Sequence, residues 1–290
     1  MTKPADAQNA HPRWFPVAGL LLMLSGILAF APLVPAPPGV TGDESWMIAM
    51  NQAVAQGLVF GRDIVFTYGP YSAVYTHRYH PATYVSNLAL GVLLGLGYGA
   101  MLLMFLRERG NGWVWCSAAF LTLVDSRDAL LFAYPLLVAL IACAETSPRL
   151  ATADRLRFPA RNTAYALAVA LLGALPIIKG SFLPLTLMAM TVGTVLYWRD
   201  GKKFFAALFI ALPVLAMAAL WLLAGQPLVA LPDYFRTMSP IISGFAGAMG
   251  FWGPPGHISL YLLIVAGVLF SLLRARDEST LHRLAYVLAV

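Results

Sequence analysis

The sequence predicts an all-α fold in which a bundle of helices spans a membrane. Hydrophobic residues make up 60% of the 290 residues and charged residues only 11%, whereas soluble domains are nearer half apolar and a quarter charged. The apolar residues also gather into runs that recur along the whole chain. Because backbone polar groups cannot stay unpaired in lipid, such runs should form helices. We expect one domain over residues 1–290, with about eight complete spans and the start of a ninth.

The candidate spans differ in length. The 22 residues of Val85–Leu106 would extend about 33 Å as a helix, which is enough to cross the hydrocarbon layer. The run Trp113–Val124 would reach only about 18 Å, so it must borrow flanking residues or stop short. The chain ends at "LHRLAYVLAV", which resembles the first part of a ninth span and predicts that a C-terminal part is missing. The other runs are Val17–Val34, Ala129–Ala144, Ala164–Ile178, Phe182–Trp198, Phe204–Leu223 and Ile258–Leu273.

The first apolar run fits two interpretations. Ala29-Phe30-Ala31 offers small residues at which a signal peptidase would cleave. The run Val17–Val34 nevertheless has 18 residues, longer than a usual signal-peptide core and enough for a tilted or slightly short span. A retained first helix is the favoured interpretation.

The basic residues predict the orientation, because cytoplasmic loops carry an excess of Lys and Arg. With the N-terminus inside, 14 of the 19 basic residues fall in inner segments, and the reverse orientation would invert this ratio. We therefore expect a multi-pass protein of the cytoplasmic (inner) membrane. The net charge of +6 suits anionic inner-leaflet lipids, and no nucleic-acid motif accompanies it. The outer basic residues are Arg62, Arg78, Arg127, Lys179 and Arg236.

This topology leaves two long external loops, at residues 36–84 and 224–257. Long ordered loops often carry function. In the first loop, the apolar spacing from Trp46 to Gly57 predicts an amphipathic helix along the membrane surface. The second loop combines small residues, aromatics and Arg236, and it fits either a mobile lid or part of a groove.

Charged residues near the predicted outer ends of spans are the candidate site residues. Asp43 and Glu44 follow the first span, where carboxylates serve either as helix N-terminal caps or as functional acids. Lys179 interrupts apolar sequence, which indicates either a functional site or a side chain that extends to the interface. Arg127 lies between two apolar runs, in a stretch that is also consistent with a simple turn carrying a surface ion pair. His77 and His80 lack a third ligand, so no metal site is predicted.

The order of these motifs resembles the GT-C superfamily of membrane glycosyltransferases. The nearest branch holds the protein O-mannosyltransferases and the aminoarabinose transferase of lipid A. The resemblance rests on the external "DE" pair, the following "G…D…GP" segment, "DSRDALLFAYPLLVALIA", "LLGALPIIKGSFLPL" and, weakly, "GHISLYLLIV". Two positions depart from the family pattern. Tyr68-Gly69-Pro70 replaces a Lys-Pro-Pro segment, and Tyr134 stands where the family has an acid after its Ser-Arg.

The resemblance implies transfer of a sugar from a polyprenyl-phosphate donor to a lipid, glycan or protein acceptor on the outer face of the membrane. It implies that Asp43 is the general base and that Glu44 orients the acceptor or tunes Asp43. The sequence itself indicates no required cofactor; a divalent cation at the acidic pair stays open but unsupported, because two carboxylates are too few ligands to claim one. The substrate-binding residues that the resemblance implies are Arg62, Asp63, Arg127 and Lys179.

Two other functions compete with the transferase. A transporter or flippase needs polar groups within the spans, but Val85–Leu106 and Phe204–Leu223 contain no charged residue. A non-catalytic subunit that holds lipid or a partner enzyme would account for the motif departures and for the expected missing C-terminal part. We expect membrane lipids as partners in each case, and no nucleic acid.

Overall fold

A computed structural model describes residues 15–37, 39, 42–106, 111–123, 127–146, 159–250 and 253–274. Within these ranges the regular structure is helical, and the few strand-like contacts are isolated bridges. The predicted all-α class is therefore confirmed for the described part of the chain. Its helices are α1 (Phe15–Phe30), α2 (Gly42–Ala55), α3 (Ala73–Thr76), α4 (Tyr84–Leu106), α5 (Asn111–Leu123), α6 (Arg127–Thr146), α7 (Pro159–Leu171), α8 (Leu175–Ile178), α9 (Leu183–Arg199), α10 (Lys203–Leu223), α11 (Leu231–Met249) and α12 (Pro255–Arg274).

Four apolar helical segments of the described chain are long enough to cross a membrane: α4, α6, α10 and the stretch Gly180–Arg199 that ends in α9. Helices of this length and composition are compatible with a membrane protein. The other predicted runs form shorter apolar helices there, and the start of the predicted ninth span lies outside the described residues. One cause of shortening is proline, since α1 ends two residues before Pro32. The shorter helices are Pro16–Phe30, Gly112–Leu123, Asn162–Ile178 and Gly256–Gly267.

The predicted helix of the first external loop is present as α2. Its apolar side chains recur at helical spacing, and this face packs on the core: Met50 and Ala53 are buried, and Trp46 and Val54 are partly buried. The helix itself is therefore confirmed. Its position along a membrane surface remains a prediction.

Glycines allow α1 and α4 to pack backbone against backbone. Gly91, Gly95 and Gly99 are four residues apart on α4, so they line one face of the helix. A Cβ atom on residue 95 would lie 2.5 Å from the carbonyl oxygen of Gly26, which leaves no room for a side chain. Residue 91 faces Ala31 while residue 99 faces Met23, so the two helices run antiparallel. Small-residue stripes of this kind are typical of helix contacts in membranes.

Contacts between distant segments collect at one end of the bundle, which we call the site end. There the Tyr71 hydroxyl donates to the carbonyl of Leu220 near the end of α10, at 2.9 Å. The amide of Ala36, just after α1, donates to the His77 carbonyl, at 2.9 Å. The turn that joins α9 to α10 lies at the opposite ends of these helices. Ion pairs and hydrogen bonds also bring the predicted outer basic residues to the site end: Arg62, Arg78, Arg127, Lys179 and Arg236.

Residues 224–257, which are predicted to form the second external loop, hold a helix that was not predicted. In α11, Tyr234 and Met238 are one turn apart and buried, and Ile242 follows one turn later and packs partly buried against the core. This spacing is a helical signal, but the prolines and glycines of the segment obscured it. Pro232 lies in the first turn, where proline is tolerated. Helix α11 packs on the predicted first external loop at Gly61, and a role as a mobile lid or as part of the tail groove stays a prediction.

Gln226 joins the two external loops, and its loss should destabilise the fold. Its side chain is buried, accepts from the amide of Phe60 at 2.9 Å and donates to the carbonyl of Leu58 at 3.1 Å. We expect Gln226→Leu to cost about 2–3 kcal/mol, because it strands polar backbone groups away from water. Thermal unfolding in detergent would measure this cost. The matched control is Gln56→Leu at an exposed position, and equal losses in both variants would contradict the assignment.

Candidate functional site

Lys179 lies at a one-residue break between two helical segments. It has extended backbone angles, φ −148° and ψ 119°, between α8 and the 3-10 turn Gly180–Phe182. The backbone groups freed by the break pair with the Tyr-Gly-Pro segment: Gly180 donates to the Thr67 carbonyl at 2.7 Å, and Gly69 donates to the Ile178 carbonyl at 3.2 Å. Gly69 has no room for a Cβ, which would collide with the carbonyl of Ile177. Residues 67–70 therefore fix the position of Lys179.

The Lys179 ammonium is paired rather than extended toward water. Its Nζ lies 2.8 Å from Oδ1 of Asp128, in the first turn of α6, and the other carboxylate oxygen accepts from the Tyr75 hydroxyl at 2.8 Å. The Lys179 side chain is only 17% exposed, whereas that of Asp128 is 46% exposed. The lysine is therefore largely enclosed by protein, while its counter-ion is nearly half exposed to solvent.

Three aromatic rings surround the same ammonium group. Nζ of Lys179 lies 4.4 Å from the ring centroid of Tyr75, 5.4 Å from that of Tyr68 and 5.7 Å from that of Phe182. Rings within about 6 Å attract a cation through their electron-rich faces. Trp46 of α2 stacks on Tyr68 with ring centroids 4.6 Å apart. Helix α2, which carries the acidic pair in its first turn, therefore contacts Tyr68, one of the rings around Lys179.

Arg127 joins this cluster through the backbone of α3. Its guanidinium donates to the carbonyl oxygen of Tyr75 at 3.1 Å, while the hydroxyl of the same tyrosine holds Asp128. The fold therefore brings two of the predicted substrate-binding cations, Arg127 and Lys179, into contact with the same residue, Tyr75. We call Lys179, Asp128, Arg127, Tyr75 and Tyr68 the Lys179 cluster.

Tyr68 serves this cluster as a neutral group. Burial raises the pKa of its hydroxyl well above the ordinary value, and the nearby Tyr75 and Asp128 raise it further. The hydroxyl therefore stays protonated in the physiological range. Tyr68 can donate a hydrogen bond and present its ring to a cation, but it cannot act as a base.

The acidic pair lies at the start of α2, and one member has a defined partner. Glu44 accepts from the Arg78 guanidinium at 2.7 Å, with both side chains largely enclosed. Arg78 also donates to the carbonyl of Pro37 at 2.9 Å, so it ties the α1–α2 connection to the segment after α3. These contacts give Glu44 a role in positioning the start of α2. The backbone of Asp43 lies in the first turn of α2, but its side chain lies outside the described residues.

The other two predicted substrate-binding residues make contacts elsewhere at the site end. Nε of Arg62 lies 3.1 Å from a carboxylate oxygen of Asp233 in α11, and Arg62 is about half exposed. The Asp63 carboxylate accepts from the amide of Val59 at 2.8 Å, which stabilises its own turn. Arg62 therefore links the two predicted loops, whereas Asp63 stabilises a turn within the first of them. A role in substrate binding remains a prediction for each.

Several residues of the Lys179 cluster were not predicted as site residues. The tyrosines fitted ordinary interfacial anchors, and Asp128 fitted the ion pair of a turn. The one available signal for Asp128 was its position next to Arg127, in the motif that carries the family resemblance. Among the described residues, no group of three or more His, Cys, Asp or Glu side chains is placed to hold a metal ion.

The geometry thus defines a cationic cluster with one partly exposed carboxylate and several aromatic rings. It lies where apolar helices meet two folded loops. Such an arrangement can hold an anionic group beside a lipid-facing surface. The chain matches no family model, no curated protein and no solved structure.

Proposed function

We propose that this chain is a membrane glycosyltransferase of the GT-C type, which moves a sugar from a polyprenyl-phosphate donor to an acceptor at the outer face of the cytoplasmic membrane. The observation that supports this proposal most directly is the convergence of Lys179 and Arg127 on Tyr75 at the site end. The donor combines an anionic phosphate with a long apolar tail. A cationic cluster at the end of apolar helices matches both parts of that molecule.

The two cations would act on the phosphate. Transfer of the sugar breaks its bond to a phosphate oxygen, and the negative charge on the departing phosphate must be stabilised as that bond breaks. An ammonium and a guanidinium held by the fold provide such stabilisation without reorganisation at the moment of reaction. Lys179 is the stronger candidate for this role, because its side chain is enclosed and its position is set by backbone pairing with the Tyr-Gly-Pro segment.

A second group must remove the proton of the acceptor, and Asp43 is the proposed base. Its backbone begins α2, whose start is fixed by the Glu44–Arg78 ion pair and whose Trp46 stacks on Tyr68. Glu44 is engaged by Arg78, which favours a positioning role for Glu44 and leaves the proton transfer to its neighbour.

The apolar tail of the donor requires a lipid-facing surface beside the cluster. Helix α10 ends at the site end, and the described side chains of Leu215, Leu222 and Leu223 on this helix are more than half exposed. Apolar surface of this kind is ordinary for a helix in contact with lipid. It would let the tail remain in the bilayer while the phosphate reaches the cluster.

A transfer assay with Asp43→Asn tests the proposal. The full chain, reconstituted in lipid vesicles with polyprenyl-phosphate sugar and cell-envelope acceptors, should form a covalent sugar product. Loss of the general base should lower the rate about 100-fold or more. The matched control is Asp200→Asn, which removes a carboxylate paired with Lys202 at the opposite end of the bundle, and it should retain full activity.

Two results would count against the proposal. Equal activity of the Asp43→Asn variant and the wild-type chain would exclude Asp43 as the base. Movement of the donor lipid across the vesicle membrane without any covalent product would replace the transferase by a flippase.

A further inference from the structure

The counter-ion of Lys179 occupies the position that an incoming anion would need. Nζ of Lys179 lies within 6 Å of the ring centroids of Tyr75, Tyr68 and Phe182. Asp128 lies 2.8 Å from the same Nζ and is the more exposed member of the pair. A phosphate that contacts Nζ while the carboxylate remains in place would lie beside a second anion, and the two negative charges would repel each other.

We propose that Asp128 is an internal competitor, which a lipid-linked phosphate displaces when it binds Lys179. This inference rests on the proposed function for the identity of the ligand. It adds that binding is an exchange of counter-ions, in which the Asp128 carboxylate leaves Nζ and the phosphate takes its place. Asp128 thereby weakens the binding of a phosphate to Lys179. It favours anions whose tail or sugar makes further contacts with the protein over anions that lack these groups.

The surroundings of the pair allow such an exchange. The three aromatic rings lie within 6 Å of the ammonium, and their attraction would keep Lys179 in position after the carboxylate departs. Asp128 is 46% exposed, so its charge can turn toward water at small cost. Its second oxygen is held by the Tyr75 hydroxyl at 2.8 Å, and this hydrogen bond opposes the departure. Tyr75→Phe should therefore ease the exchange, while the Tyr75 carbonyl that accepts from Arg127 is unchanged.

Binding of geranyl phosphate, a short soluble mimic of the donor, tests the exchange without any sugar or acceptor. The full chain in nanodiscs of a neutral lipid would be titrated with this probe by calorimetry. We expect Asp128→Asn to bind about tenfold more tightly than wild type, since it removes a competing and repelling charge, and Lys179→Met to bind about tenfold more weakly. Asp128→Asn should gain less in the Lys179→Met background than in wild type, because the competition for Nζ exists only while Lys179 is present.

A second substitution of Asp128 separates the loss of its charge from a folding defect. Asp128 lies in the first turn of α6, where an acid stabilises the helix. Asp128→Ser keeps a hydrogen-bonding side chain and removes the charge, so it should reproduce the gain if Asp128→Asn unfolds. Inorganic phosphate as a second probe separates the sources: a gain confined to geranyl phosphate assigns the exchange to a lipid-linked phosphate, and an equal gain with both probes assigns it to the phosphate group alone.

The opposite result would overturn the inference. If both folded variants of Asp128 bind geranyl phosphate no more tightly than wild type, the carboxylate does not compete with the ligand. This outcome is distinct from failure of the proposed function. If no sugar is transferred, the proposed function fails, but the binding measurements still test the exchange. If sugar is transferred and the Asp128 variants bind the probe as wild type does, the exchange is rejected and the proposed function is not.

Discussion

Lys179→Met should reduce sugar transfer at least 100-fold while the protein remains folded. The methionine keeps a similar length and apolar stem, so the packing against Phe182 and the tyrosines can be retained. The variant removes the enclosed ammonium that would stabilise the departing phosphate, and loss of one such group typically costs 10²–10³ in rate. The Asp128 partner is nearly half exposed, so it can be solvated by water after its counter-ion is lost.

The chain contains a close match for a control. Lys202 forms an ion pair with Asp200 at 2.7 Å and lies 6.0 Å from the ring of Tyr197, so it repeats the pattern of lysine, carboxylate and tyrosine at the opposite end of α9. Lys202→Met should leave transfer unchanged. Turnover of radiolabelled donor in vesicles would measure both variants. A similar loss in both would show that the effect is structural, and full activity of Lys179→Met would remove Lys179 from the proposed chemistry.

Gly95→Leu should prevent correct packing of α1 on α4. A Cβ on residue 95 would lie 2.5 Å from the carbonyl oxygen of Gly26 and 2.7 Å from the Cα of Ile27, so the obstacle is backbone rather than a side chain that can turn away. The helices would have to separate along their whole crossing, and overpacking of this kind costs about 3 kcal/mol or more.

Gly112→Leu is the matched substitution, because Gly112 is helical and has no atom within 4 Å of its would-be Cβ. The two variants would be compared by size-exclusion chromatography and thermal unfolding in the same detergent. We expect Gly112→Leu to behave as wild type, and Gly95→Leu to aggregate or to unfold at a clearly lower temperature. Equal behaviour would mean that the helices do not pack through this glycine stripe.

The Lys179 cluster contains residues that the sequence predicted as site residues and residues that it did not. Lys179 and Arg127 were identified because charged side chains stand out at the ends of apolar runs, and the structure brings both into one cluster. Asp128 and Tyr75 had unremarkable local surroundings in the sequence. Their importance follows from contacts across 51 to 53 residues, and no local pattern encodes the partner of such a contact. The same holds for Arg62, whose described partner Asp233 lies 171 residues away.

The sequence by itself determined the helical class, the composition suited to a membrane and the position of α2, because backbone hydrogen bonding in lipid and apolar spacing are local constraints. Only the tertiary structure decided which charges neutralise one another. It joined Lys179 to Asp128 and Glu44 to Arg78, and it placed α11 against the first external loop. The physical reason is that ion pairs and close packing depend on how helix ends meet in space. Backbone contacts such as the glycine crossing of α1 and α4 determine where helix ends lie, because they bring together segments that are remote in the chain.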